Sequence, residues 1–158
     1  MRAYGGGVVT DPRGTVLVSS MASDSHTWNL VYLELLVDEL GFDVVNLGAC
    51  VPDELLESEC LSRRPTMLVL SSVNGHGYQD GLRVIQRLRA FPELRALPVV
   101  IGGKLGVGGP LTADEIAQLL LAGFDAVFDD QQNTASFRRF AATLTAGAAQ
   151  LPVRVEGA

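Results

Sequence analysis

Thr15-Val16-Leu17-Val18-Ser19-Ser20, the loop Ser23-Asp24-Ser25-His26-Thr27-Trp28, and the run from Asn29 to Leu40 together decide the fold. The first is a short, continuous apolar segment rich in β-branched residues, as in a parallel strand buried on both faces. The last places Leu30, Leu33, Leu36, Val37 and Leu40 at helical spacing, with Glu34, Asp38 and Glu39 on the wet side. Strand, loop and helix in that order open a βαβ unit. The loop then lies at the carboxyl end of a strand, where open α/β sheets bind ligands.

The alternation continues along the chain. Gly41 stops the first helix, and Asp43 to Leu47, closed by Gly48, is a second strand. Pro52-Asp53-Glu54 opens a helix running to about Ser62, its early acids suited to the helix dipole. Thr66 to Ser71 is a third strand and Ser72-Val73-Asn74-Gly75-His76-Gly77 its loop. The next helix, from about Tyr78 to Ala90, turns Leu82, Ile85 and Leu88 inward and Arg83, Arg87 and Arg89 outward. Pro98 to Ile101 is a fourth strand, followed by a glycine loop from Gly102 to Pro110. Thr112 and Glu115 have capping-box spacing at the start of a helix whose Ile116, Leu119 and Leu120 face inward. Asp125 to Phe128 is a short fifth strand, and a last helix runs from about Thr134 to Ala146.

Five strands alternating with five helices predict an α/β, flavodoxin-like, doubly wound parallel sheet in the order 2-1-3-4-5. Residues 15–148 are expected to form the domain, 1–14 a flexible Gly-rich arm and 149–158 a loose tail. The switch point of that order lies between strands one and three. The loops holding His26, Ser71 to Gly77 and Gly102 to Gly109 therefore converge on one rim.

Composition narrows the function. Hydrophobic residues make up 47% of the chain against 19% charged, which suits one folded domain. A net charge of −6 without a basic stripe argues against nucleic acid as a partner. No apolar run is long enough to span a membrane, and the N-terminus lacks the apolar core of a signal peptide, so the expected compartment is the cytoplasm. Cys50 and Cys60 make neither a metal motif nor a disulfide framework and read as small buried hydrophobes. Trp28 reads as a core anchor or part of a ligand wall.

Of the two histidines, His26 stands two residues after Asp24, whereas His76 sits between glycines as a solvated loop residue. His26 can be a metal ligand, a general base or a satisfied loop residue. Asp24 can accept a hydrogen bond from one ring nitrogen, fixing the tautomer and enriching the other as a ligand. Further ligands are missing nearby, and zinc would want several. A cofactor that carries its own metal in a ring needs only one from the protein. The glycine loop has neither a Walker Lys-Ser/Thr nor a dinucleotide fingerprint, but it would let a long, flat ligand approach the backbone. Ser71 and Ser72 can donate hydrogen bonds to a heterocycle or simply end the strand.

Asp24-Ser25-His26-Thr27-Trp28-Asn29 resembles the Asp-x-His-x-x-Gly motif of cobalamin-binding domains. Ser71-Ser72-Val73 resembles their Ser-x-Leu motif, and Gly102-Gly103 their paired glycines after the fourth strand. Gly41 to Gly48, Gly75-His76-Gly77 and Gly102 to Gly108 are most similar to the small subunits of glutamate (methylaspartate) mutases. The resemblance implies adenosylcobalamin bound base-off, with His26 as axial ligand of cobalt and Asp24 hydrogen-bonded to it. The nucleotide tail would enter a slot between strands one and three, where Ser71 bonds its base. Ser23, Asp24, Ser25, His26, Thr27, Ser71, Ser72, Val73, Gly102, Gly103, Lys104, Leu105, Gly106, Val107 and Gly108 would line the cofactor.

Catalytic residues would sit on a larger partner subunit, so this isomerase component is not active alone. Three positions depart from the family pattern. Asn29 replaces glycine and is expected to crowd the tail. Val73 replaces leucine. Phe128-Asp129-Asp130-Gln131-Gln132 replaces a Gly/Pro-rich turn, placing acids near a cofactor phosphate. A corrinoid carrier, an acyl-CoA mutase small subunit and a non-catalytic interaction protein without cobalamin affinity remain alternative readings.

Overall fold

The computed structural model describes residues 13–129 and 134–145. The expected arm over residues 1–12, the tail over 149–158, and Asp130 to Gln132 lie outside these. The elements run in chain order β1 (Thr15–Ser20), α1 (Trp28–Glu39), β2 (Asp43–Gly48), α2 (Asp53–Arg63), β3 (Met67–Ser72) and α3 (Gly77–Arg89). A 3₁₀ turn (Pro92–Leu94), β4 (Val99–Gly103), α4 (Ala113–Ala122), β5 (Ala126–Phe128) and α5 (Thr134–Thr145) follow. The strands form one five-stranded sheet in the order β2-β1-β3-β4-β5, with every pair parallel. This is the expected order.

Strand alternation sorts the core into two layers. Leu17, Leu68, Leu70, Val99 and Ile101 pack with Leu56 and Cys60 of α2, Val84, Ile85 and Leu88 of α3, and Leu119 of α4. Val16, Val18, Met67, Val69 and Val100 pack on the other face with Leu30, Leu36 and Val37 of α1 and Phe137 and Ala141 of α5. The central strand β3 is buried along its whole length. Burial also pushes the Cys60 thiol up to about 12, so it behaves as a core hydrophobe.

Several side chains depart from their expected places. Leu120 is exposed, because Leu119 alone carries the deep contact of α4. Arg89 is a carbonyl clamp rather than a wet-side residue. It donates to the Leu94 and Leu97 oxygens at 2.6 and 2.8 Å and to the Gly123 oxygen at 2.6 Å, holding the turns around β4. Cys50 is exposed at φ 52°, and its backbone N–H donates across to the Asp24 carbonyl at 3.0 Å. Arg13 and Gly14, placed by sequence in the arm, are tied to the domain through Arg13 N to Gly41 O at 3.2 Å and Asp43 N to Gly14 O at 3.0 Å.

The Thr112 capping box forms as its spacing implies: Thr112 Oγ1 accepts from Glu115 N at 3.1 Å and Glu115 Oε1 from Thr112 N at 2.9 Å. Thr112→Ala is expected to cost about 1 kcal/mol and lower the melting temperature by roughly 2–4 °C, read by thermal denaturation.

Candidate functional site

The loop after β1 is fixed before its side chains are considered. Ser20 Oγ donates to the Asp24 carbonyl at 2.8 Å, Asp24 N to Met21 O at 3.0 Å, and Cys50 N to Asp24 O at 3.0 Å. This turn drives the Asp24 carboxylate inward, where it is 1% exposed. Its Oδ1 accepts the His26 backbone N–H at 3.0 Å and lies 2.7 Å from His26 Nδ1, while Oδ2 accepts Val73 N–H at 2.7 Å. Burial alone would raise the Asp24 pKa. The bonds from the His26 and Val73 backbone and the His26 ring overcome that and hold it below its usual value. An ionised Asp24 needs the proton on Nδ1, which leaves the Nε2 lone pair free. The ring itself is 59% exposed, so Nε2 is available to an incoming Lewis acid.

Asp24 thus joins the loops after β1 and β3. A second tie comes from Asn74, which the sequence reading left among ordinary loop residues. Its Nδ2 donates to Ser23 O at 3.0 Å and its Oδ1 accepts from His76 N at 3.0 Å. The Asn74-Gly75 turn dipeptide was the only sequence signal for it. Ser72 Oγ also turns to Asn74, and its carbonyl accepts Lys104 N–H at 2.8 Å, bringing in the loop after β4. That approach requires Gly103, at φ 121°, where an added Cβ would collide with the Ser72 carbonyl oxygen. Gly103→Ala is expected to destabilise by about 2–3 kcal/mol, measured by urea denaturation.

A cavity of about 200 Å³ opens from this rim between α1 and α5. Its floor is β3 and β4 (Val69, Ser71, Val100, Gly102), one strand away from the expected slot between strands one and three. Leu36, Phe128 and Phe137 make it apolar, and Phe128 and Phe137 meet edge to face at 5.6 Å. Three of its polar groups are buried or part-buried, Ser71, Asn29 and Asp129, while Tyr32 and Thr134 stand exposed at its edge. Asn29 Nδ2 donates to Ser71 Oγ. Asp129 Oδ2 accepts Leu111 N–H at 2.7 Å, so this residue staples the chain ahead of α4. Asn29 Oδ1 and Asp129 Oδ1 are buried with no hydrogen-bond partner among the described residues.

A sequence description of the B12 binding domain matches residues 14–137. The chain belongs to the B12-binding domain family. It is 30% identical to glutamate mutase sigma subunit 1 of Haloarcula marismortui over 148 residues, covering 90% of this chain and 95% of that one. The glutamate mutase sigma subunit of Fusobacterium nucleatum is 25% identical over 72% of this chain and 82% of its own. Among solved structures, a cobalamin-binding protein from Desulfitobacterium hafniense superposes with a TM-score of 0.68 at 20% identity, over 84% of this chain and 59% of that one. A signal receiver domain from Syntrophus aciditrophicus reaches 0.64 at 15% identity, over 87% and 93%. The fold is therefore shared with receiver domains, and the site must distinguish this B12-binding domain from them.

The site fits a corrinoid. Among the described residues no group of three His, Cys, Asp or Glu could hold a bare metal ion, while a cofactor carrying cobalt in a ring needs only the free His26 nitrogen. The apolar cavity with buried polar atoms suits a flat heterocycle. Asp24 bonds both His26 and Val73, and Val73 and Ser71 line the cavity. Lys104, Val107 and Gly108 stand exposed on the rim, Leu105 sends its side chain into the core, and the Ser72 hydroxyl turns away from the cavity. Trp28 is no core anchor: it is 83% exposed and heads an apolar stripe with Val31, Tyr32 and Leu35 along α1.

Proposed function

We propose that this chain is the cobalamin-binding subunit of a carbon-skeleton mutase of the glutamate mutase type, holding adenosylcobalamin base-off and His-on. The observation that carries the reading is the Asp24–His26 pair. A buried carboxylate spends itself on orienting a half-exposed imidazole, and its other oxygen holds the backbone of Val73, which lines the apolar cavity. The sigma-subunit relatives support the reaction class.

In this reading His26 Nε2 would hold the cofactor's cobalt, Asp24 keeps the proton on Nδ1 and makes Nε2 the stronger donor, and Ser71 would donate to the base of the nucleotide tail. Ser23 to Thr27, Ser71 and Val73, Gly102 to Lys104, and Gly106 to Gly108 line the ring and tail, while Ser72 and Leu105 serve the loop and the core. When bound, the cofactor supplies a carbon radical by breaking its cobalt–carbon bond, for the rearrangement of L-glutamate and threo-3-methylaspartate. The groups that bind substrate belong to a larger catalytic subunit, and the exposed stripe on α1 gives that subunit an apolar surface beside the His26 loop. No described helix is long and apolar enough to cross a membrane; we place the complex in the cytoplasm.

The test is a titration of the pure chain with adenosylcobalamin, read in the visible spectrum. A base-off, histidine-ligated spectrum is expected. An unchanged spectrum at high protein concentration overturns the reading.

A further inference from the structure

The cavity between α1 and α5 contains a mismatch that bears on which corrinoid it takes. Its walls are largely hydrocarbon, yet two oxygens in them lack partners among the described residues. Asp129 is only 6% exposed, with Oδ2 engaged by Leu111 N–H at 2.7 Å and Oδ1 unpaired among the described residues. Asn29 gives an amide hydrogen to Ser71 Oγ and leaves its own Oδ1 unpaired. Ser71, 2% exposed, keeps its hydroxyl proton for another acceptor.

An open cavity can satisfy these oxygens with water. A ligand that seals it must bring N–H donors or leave buried acceptors dry, a loss of about tenfold or more in affinity. Its buried groups therefore present the Ser71 hydroxyl as donor and two unpaired oxygens as acceptors, while the exposed Tyr32 and Thr134 hydroxyls at its edge stay within reach of water. A dimethylbenzimidazole has a ring nitrogen for Ser71 but only methyl and ring C–H edges for the oxygens. An aminopurine has a ring nitrogen and an exocyclic amino group. A flipped Asn29 amide would exchange its oxygen for N–H, but the Asp129 oxygen has no such freedom, so the acceptor requirement stands.

We infer that this chain selects corrinoids whose lower base is an aminopurine over those carrying dimethylbenzimidazole, with Asn29 and Asp129 as the specificity-determining residues. The inference rests on the reading that this cavity receives the lower base.

The experiment titrates the full chain with three corrinoids: cobalamin, the cobamide with adenine as lower base, and cobinamide, which has no lower base. Dissociation constants are read from the visible spectrum. The adenine cobamide is expected to bind about tenfold or more tightly than cobalamin. Asp129→Asn keeps an oxygen for Leu111 N–H but turns N–H into the cavity, and Asn29→Gly removes one polar wall. Each should shrink the preference, the second by tightening cobalamin. Thermal melts establish that both variants fold, and the wild-type ratio stands as a test independent of either. Equal affinities, a preference for cobalamin, or a ratio unmoved in folded variants overturns the inference while the histidine-ligated spectrum survives. Failure of all three, cobinamide included, to give a His26-dependent spectrum removes the cofactor reading and the inference with it.

Discussion

His26→Ala is expected to abolish the histidine-ligated spectrum and to weaken corrinoid binding by about 100-fold or more. Loss of a partner that merely orients a metal-binding histidine costs 10–100-fold, and loss of the ligand itself should cost no less. The side chain is 59% exposed and its ring makes one recorded bond, to Asp24. Removing it should therefore change global stability little, within roughly 1 kcal/mol. A thermal melt alongside the titration separates lost ligation from lost folding. A variant that still gives the wild-type spectrum would show that another group holds the metal.

Asp24→Ala should do the reverse, damaging the fold as well as the site. It deletes three hydrogen bonds to a carboxylate that is 1% exposed, and it strands the Val73 N–H that tied the β3 loop to the β1 loop. A loss of about 3 kcal/mol is expected, or roughly 6–12 °C in melting temperature, together with a 10–100-fold weaker corrinoid affinity. Asp24→Asn keeps the shape and loses the charge, and it tests pH dependence.

The folded Asp24 pKa lies below its usual 3.8. Its stabilising contribution is therefore fully present above that value and is lost as the pH falls through the folded pKa. The stability gap between wild type and Asp24→Asn should be constant from neutral pH to about pH 5 and close at lower pH, as followed by urea midpoints. A gap that persists unchanged at pH 2 would rule out the charge as its source.

The distribution of effects between these two residues follows from what local sequence can encode. The Asp-x-His spacing is local: two residues in one tight turn meet whatever surrounds them, so their pairing could be read from the chain. The partners of Asn29 and Asp24 lie 42 and 49 positions away in Ser71 and Val73, and no local pattern announces them. Asn29 was expected to crowd the tail; its bond to Ser71 in the cavity is an addition that only the fold supplies. Asp129 was expected near a cofactor phosphate; its bond to Leu111 N–H beside the apolar cavity is one that only the fold brings about. Helix α1 buries the face its spacing predicts, with Leu30, Leu36 and Val37 in the core; what the spacing left undecided was Trp28, which heads an exposed apolar stripe with Val31, Tyr32 and Leu35.

By itself the sequence determined the alternation of strands and helices, the parallel sheet and its order, the capping box, and the rim on which the Asp24–His26 pair stands. These follow from residue period, glycine and proline placement, and the handedness of crossovers. Tertiary structure alone decided that the cavity lies over β3 and β4, that Trp28 stands outside the core, and that two buried oxygens find no partner among the described residues. Each depends on which distant groups meet, and hydrogen-bond satisfaction becomes defined only once the chain has closed around them.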